Sequence, residues 1–349
     1  MVKVRVDFRL GAAVAAAAAL LLAGCGNAAA PPASGSPSGS SGAAISLVES
    51  AKREGQVRFY GAFNPTTQER LASSFKSRYG VDVDAVRLAS GPLAQRYAAD
   101  AAAGNVVADV VELGDSSFFE DATKKGWLAG LADVDGARNW PQQFRADTFV
   151  KLALLPYGVT YNTDLVKAAD APASWQALLD PRWKGKLLLI DPRNTPAIMA
   201  WSYFMRETYG AGYLSQLAGQ QFRLVASGIP GGEQVAAGSA DIIAPSTRAE
   251  VLGPAKGGAP LAYGPIEPAT GQEAQAGLSA KAPHPNAGRL FLSFLMSAEG
   301  QGILANDGYV PILPGVPGAP AVPRDYHSPQ YAAAAGAQGE LLGLLGLRS

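Results

Sequence analysis

Cysteine is almost missing from this 349-residue chain: there is one, Cys25, alongside only two histidines. A lone cysteine excludes an intrachain disulfide and a cysteine-rich metal site. The histidines, His284 and His327, lie near no G-x-S-x-G elbow, and neither an H-E-x-x-H nor a phosphate-binding P-loop pattern occurs, so the usual signatures of hydrolases and nucleotide enzymes are lacking. An excess of either charge is also missing, since Lys plus Arg and Asp plus Glu each number 29. Setting aside Lys3, Arg5, Arg9 and Asp7 leaves 26 basic and 28 acidic residues. There is no dense basic run and no aromatic stripe to offer nucleic acid a footprint. Beyond residue 24, no apolar run is long enough to cross a bilayer.

What the N-terminus does contain is organised. Lys3, Arg5 and Arg9 precede an apolar, small-residue run from Leu10 to Gly24, the length of a signal-peptide core and short for a spanning helix. It ends in Leu22-Ala23-Gly24-Cys25, which resembles the lipobox of bacterial lipoproteins. That resemblance implies a signal peptide over 1–24, a lipid on Cys25, and an extracytoplasmic body anchored to the bacterial cell membrane through that lipid alone. Residues 25–44 are then a flexible tether of Gly, Ser, Pro and Ala, which cannot bury enough apolar area to fold.

The body that follows, roughly 300 residues, is long enough for two lobes. Gln56–Tyr60, Val81–Val86 and Ala108–Leu113 read as strands. The helices between them begin near Thr66 or Thr67, with Leu71, Phe75 and Tyr79 at helical spacing, and at Pro92. A second alternating series has strands over Val150–Tyr161, Lys186–Ile190 and Asp241–Ala244, a short helix over Trp175–Leu179 and a longer one over Ala197–Tyr209. Such alternation argues for parallel α/β sheets whose ligands bind outside the carboxyl ends of the strands. The loops at Gly61–Asn64, Ser90-Gly91 and Gly114–Ser117 should share one rim of a cleft between the lobes.

Several ordered motifs resemble the ferric-iron/polyamine-type extracellular solute-binding proteins of ABC importers, in lipoprotein form. They include Val57-Arg58-Phe59-Tyr60, Leu155-Pro156-Tyr157-Gly158-Val159, and Trp175 followed by Leu178-Leu179-Asp180-Pro181-Arg182-Trp183-Lys184-Gly185-Lys186. Pro283-His284-Pro285-Asn286 and Gly308-Tyr309-Val310-Pro311 complete the set, which covers about residues 45 to 315. The resemblance implies an α/β, two-lobed periplasmic-binding type II fold with two hinge strands and a ligand cleft between the lobes. Lobe one would comprise 45–155 plus 265–330 and lobe two 156–264. Residues 331–349 form a C-terminal tail, read as a short helix on lobe one or a frayed end. The implied function is capture of a small solute by lobe closure and delivery to an ABC permease and its ATPase. The chain is expected to be a monomer, to have no cofactor and no catalytic activity, and to bind no nucleic acid.

The cargo follows less directly. Iron-binding members of that family use adjacent tyrosines after the strand that corresponds to Asp241–Ala244. Here Arg248-Ala249 stand at that pair, Asn64 stands where many members have a histidine, and Gly114 stands where some carry a glutamate. The expected rim instead offers Ser90, Gly91, Gly114, Asp115, Ser116, Ser117, Arg193, Asn194, Thr195, Ser246, Thr247 and Arg248. Hydroxyls, guanidinium groups and helix N-terminal amides suit a phosphonate, phosphate ester or carboxylate. Tyr60, Phe63 and Tyr157 form an aromatic wall or pack the core, while Asp115 and Asp191 could hold the cationic end of a zwitterion. The alternatives are ferric iron or a ferric complex in the same importer class and, from another class, a lipid-anchored α/β hydrolase. His284, between two prolines, reads as the start of a helix.

Overall fold

A computed structural model describes residues 46–348. The expected signal segment, Cys25 and the tether lie outside the described residues.

The first lobe starts with α1 (Leu47–Glu54), closed by a reciprocal Ser46/Glu49 capping box, and β1 (Gln56–Gly61). Then come α2 (Pro65–Tyr79), β2 (Asp82–Arg87), α3 (Ser90–Ala102), β3 (Val110–Leu113) and α4 (Ser116–Lys124). β1 pairs in parallel with both β2 and β3, as two crossover helices require. The next strand, β4 (Phe149–Asn162), is 14 residues long and runs out of the first lobe into the second. Pro156 sits inside it without breaking it. Up to Pro156 the strand pairs with the first-lobe sheet, and from Tyr157 onward it takes partners in the second, so the missing N–H falls at the change of partner.

The second lobe comprises β5 (Leu187–Ile190), α5 (Pro196–Tyr209), α6 (Ala211–Gly219), β6 (Arg223–Val225), α7 (Gly228–Ala236), β7 (Ile242–Thr247), α8 (Arg248–Lys256) and β8 (Leu261–Pro265). The helix expected over Trp175–Leu179 is a single 3₁₀ segment, Gln176–Leu179. The chain then returns through β9 (Gly271–Leu278), which lies antiparallel between β3 and β4 and makes the first sheet mixed rather than purely parallel. The returning strand touches β4 so closely at Gly271 that a β-carbon there would overlap Leu155 O and crowd Pro156 Cα. α9 (Pro285–Met296), α10 (Ala298–Asn306) and β10 (Val310–Pro311) complete the first lobe.

Packing follows the apolar patterning. In the first lobe Phe75 of α2 and Phe59 of β1 meet Phe291 of α9 edge to face, with ring centres 5.0 and 5.1 Å apart. His284 precedes α9, and its backbone N–H and ring Nδ1 both meet the carboxylate of fully buried Asp109, which also accepts from Arg58 N. That network ties the start of α9 to the sheet. In the second lobe Trp175 and Trp201 pack edge to face at 5.3 Å beneath the leucine-rich β5.

The C-terminal segment corrects one expectation. Its helices, α11 (Tyr331–Gly336) and α12 (Gln338–Leu344), pack chiefly on α5 and α6 of the second lobe, and α11 also touches α4 of the first. Tyr331, Leu341, Leu342 and Leu345 are buried in the second lobe's core. To reach it, the chain runs beside the returning hinge segment: Ala269 N donates to Asp325 O and His327 N to Ala269 O, both at 2.8 Å. The lobes are therefore joined by a third passage in addition to β4 and the β8–β9 connection.

Candidate ligand cleft between the lobes

The strand ends open onto one cleft of about 230 Å³ between the lobes. The loop after β1 contributes Ala62 and Asn64, the start of α3 contributes Ser90 and Gly91, and the loop after β3 contributes Gly114 and Asp115. From the opposite lobe come Asn194 and Thr195 before α5, together with Ser227 and Gly228 at the start of α7. The structure thus brings together Asn64, Ser90, Gly91, Gly114, Asp115, Asn194 and Thr195 of the sequence-expected rim.

The helices that point at this cleft share a feature. The N-cap positions of α3, α5 and α7 (Ala89, Thr195 and Ser227) make no side-chain capping hydrogen bond. Each helix also carries a proline in its first turn: Pro92, Pro196 and Pro230. The first-turn N–H groups that remain belong to Ser90, Gly91, Ala197, Gly228 and Ile229. Among the described residues, none of them donates to an acceptor elsewhere in the chain. Helix N-termini with free amides attract anions through those N–H groups and the helix dipole. Here one such terminus comes from the first lobe and two from the second. α4 differs, because Asp115 Oδ1 already accepts from Ser117 N at 2.9 Å and Ser117 Oγ at 2.6 Å.

Toward the hinge the cleft narrows into an inner end of about 60 Å³, lined by Glu112, Thr247, Glu250, Gln272 and Tyr309 among others. Glu112 Oε2 accepts from Ala62 N at 2.8 Å and Phe63 N at 3.1 Å. Glu250 Oε2 accepts from Thr247 N at 2.9 Å across the first turn of α8. Burial pushes the Glu112 carboxyl up to about 8, against the lowering pull of those two amides and of Arg87. It pushes the Glu250 carboxyl up to about 6. The lobes touch beside this inner end, where Asn64 Nδ2 donates to Ala249 O at 3.0 Å.

Other expected rim residues lie elsewhere. Arg193 folds back on Asp191, with Nε 2.9 Å from Oδ1 and Nη2 2.7 Å from Oδ2, and lines a separate pocket beside Tyr331 and Gln338. The guanidinium bonds hold the Asp191 carboxyl below the usual carboxylate range. Ser246 is buried against Thr160, hydroxyl to hydroxyl at 2.7 Å. Tyr60 lies in the first-lobe core, its hydroxyl 3.3 Å from Asp100 and its ring under the Arg96 guanidinium. Tyr157 is buried at the crossing of β4, where burial and then the Glu250 charge push its phenol upward. Ser116 and Arg248 line neither the cleft nor its inner end, whereas Thr247 lines the inner end.

The sequence reading missed Arg87, Glu112, Ser227, Gly228, Glu250, Gln272 and Tyr331. The strand-end rule could have found Ser227 and Gly228, which follow β6. Glu112 is an inward position on a strand and Tyr331 comes from the tail, so only the folded chain places them here.

The model of the bacterial extracellular solute-binding proteins matches residues 56–310. No curated protein sequence matches the chain. Among solved structures, the substrate-binding protein of an ABC transporter from Agrobacterium tumefaciens superposes with a TM-score of 0.75 at 15% identity, covering 83% of this chain and 94% of that one. Iron-bound HitA from Pseudomonas aeruginosa gives 0.67 at 19% identity, covering 83% and 98%. AfuA from Actinobacillus pleuropneumoniae, with fructose-6-phosphate bound, gives 0.66 at 17% identity, covering 84% and 99%.

Proposed function

The chain belongs to the bacterial extracellular solute-binding proteins, and we propose that it captures a small anionic or zwitterionic solute for an ABC importer by closing its two lobes around the solute's anionic group. The observation that carries this reading is the convergence of three uncapped helix N-termini, from both lobes, on one cleft. A solute held by amides on both sides prefers the closed arrangement, and that preference is all the free energy available to drive closure. Phosphonates, phosphate esters and carboxylates all present oxygens that such amides can bind. The superposed AfuA structure, with its sugar phosphate, is consistent with this chemistry.

HitA is described as iron-bound, but this chain has Asn64, Gly114 and Arg248-Ala249 where the resemblance would put ferric ligands. A ferric ion enclosed in an anionic chelator would present carboxylate oxygens to the same amides. On this reading the body acts outside the cytoplasm as a monomer, held to the membrane through lipid on Cys25, and hands its solute to a permease and ATPase.

Thermal-shift screening against phosphonates, sugar phosphates, carboxylates, polyamines and ferric salts tests the reading. A ligand present at about 100-fold over its dissociation constant adds about 2.7 kcal/mol of stability. At least one anion should raise the transition and simple polyamines should not. Ester or phosphoester turnover without any anion-induced shift would favour the hydrolase alternative.

A further inference from the structure

Arg87 closes β2, and the register of the sheet decides what faces it. Along the parallel pairing of β1 with β2, Arg58 stands beside Asp84 and Arg87 beside Gly61. Arg58 therefore has an acid within reach, and its Nη2 lies 2.6 Å from Asp84 Oδ2. Arg87 faces a residue with no side chain. Its guanidinium turns instead to the loop after β1, where Nε donates to Phe63 O at 3.3 Å. A guanidinium carries five N–H donors in a flat fork. Among the described residues, nothing accepts from those on Nη1 and Nη2, and no carboxylate forms an ion pair with Arg87.

Arg87 is also the only Lys or Arg among the described residues that line the cleft. The carboxylates lining the same space are already engaged. Asp115 Oδ1 accepts from Ser117, and Glu250 Oε2 accepts from Thr247 N. The Arg87 charge reaches Glu112 behind them, but Glu112 Oε2 accepts from two amides, and a carboxyl near 8 keeps its proton at neutral pH. Glu112 therefore leaves the guanidinium charge unbalanced. Ser90, three residues further on, lines the cleft too. Its Oγ accepts from Gly114 N at 3.1 Å, which fixes the start of α3 beside the loop after β3 and leaves the hydroxyl proton free to be donated.

We propose that Arg87 fixes the solute's anionic group on the first lobe, its two terminal nitrogens donating to two oxygens of a carboxylate, phosphonate or phosphate ester. The inference rests on the reading of the cleft as an anion site and names the side chain that supplies the counter-charge and the two-oxygen geometry. Guanidinium forks bind such oxygen pairs with a directionality that an ammonium group lacks. Arg193, the arginine that the sequence favoured, is by contrast spent on Asp191.

Calorimetric titration of the full chain with inorganic phosphate, methylphosphonate and malate tests this. At least one of the three should bind the parent, and Arg87→Gln should weaken that anion about tenfold or more, a difference of about 1.4 kcal/mol. The melting transition of the variant without ligand should change little. Arg87→Lys keeps the charge and a donor for Phe63 O but not the fork, so it should remain about threefold or more weaker than the parent. If the anion binds and Arg87→Gln holds it within about twofold of the parent, Arg87 is not a contact and the anion site stands without it. Parent-like affinity in Arg87→Lys overturns the two-oxygen fork, and that variant decides alone should Arg87→Gln not fold. An affinity loss matched in both variants by a lower melting transition would make Arg87 a support of the Phe63 loop and overturn the contact. If none of the three anions binds the parent at millimolar concentration, the anion reading falls and the role of Arg87 with it.

Discussion

Gly228, the first residue of α7, faces the carboxylate of Glu250 on α8 so closely that a β-carbon at Gly228 would overlap it. A bare α-carbon at that point lets a buried acid from one helix lie against the start of the next. It also leaves the first-turn amides of α7 open to the cleft. One contact thereby shapes both the anionic inner end and the amide-lined mouth.

Gly228→Ala is therefore expected to expel the Glu250 side chain from its place. Overpacking of this kind costs about 1–3 kcal/mol. Denaturant unfolding should show a loss in that range, and solute affinity should drop with it. A variant as stable as the parent, with unchanged affinity, would show that the contact is not needed.

Glu112 gives the protein a pH signature. Its folded-state carboxyl titrates near 8, well above the ordinary 4.5, so between those values the folded state holds a proton that the unfolded chain has released. Stability should be greatest below pH 4.5 as far as this group is concerned, and should fall as pH rises toward 8, by on the order of 4 kcal/mol at most. Glu250 contributes in the same direction over the narrower window up to about 6. Denaturant melts at pH 5 and pH 8 should show the fall, and Glu112→Gln should flatten most of it. A stability that rises across this range in the parent, with no change in the variant, would contradict the assignment.

The third passage between the lobes has its own consequence. Leu342 is 1% exposed within the second-lobe core, so Leu342→Ala should cost about 2–5 kcal/mol. Were α11 and α12 a dispensable appendage, the same change would leave the melting transition where it is.

Arg193 was a natural choice for an anion-binding residue, and the structure gives it another partner. Arg193→Ala should leave the affinity for an anionic solute within about twofold, since a guanidinium already bonded to Asp191 is not directed at the cleft. A loss of tenfold or more by titration would return it to the site.

Much of the fold could be read in the chain because each lobe repeats simple patterns. The apolar run Leu187–Ile190 could only be a buried strand, and the spacing of Leu71 and Phe75 put both on the buried face of α2. The rim loops followed from the strand-end rule, which placed Asn64, Ser90, Gly114 and Thr195 correctly around one cleft. Charge was the poor guide. Arg193 looks free in sequence because nothing in the sequence shows that the turn at Asp191 folds the guanidinium back onto its carboxylate. Glu250 looks like an ordinary first-turn acid of a helix, and only Gly228 on another element shows that it is packed inward. Tyr331 enters through a tail whose composition gave no sign of a partner, and its place depends on the exposed face left by α5 and α6.

The most direct test of the account removes a single amide from the mouth of the cleft. Ala197 follows Pro196 at the start of α5, where a second proline is tolerated because no intrahelical bond is lost. Calorimetric titration of the parent and of Ala197→Pro with an anionic solute identified by screening should show affinity reduced about tenfold or more and thermal stability little changed. An unchanged dissociation constant in a folded variant would contradict capture of an anion by the helix N-termini.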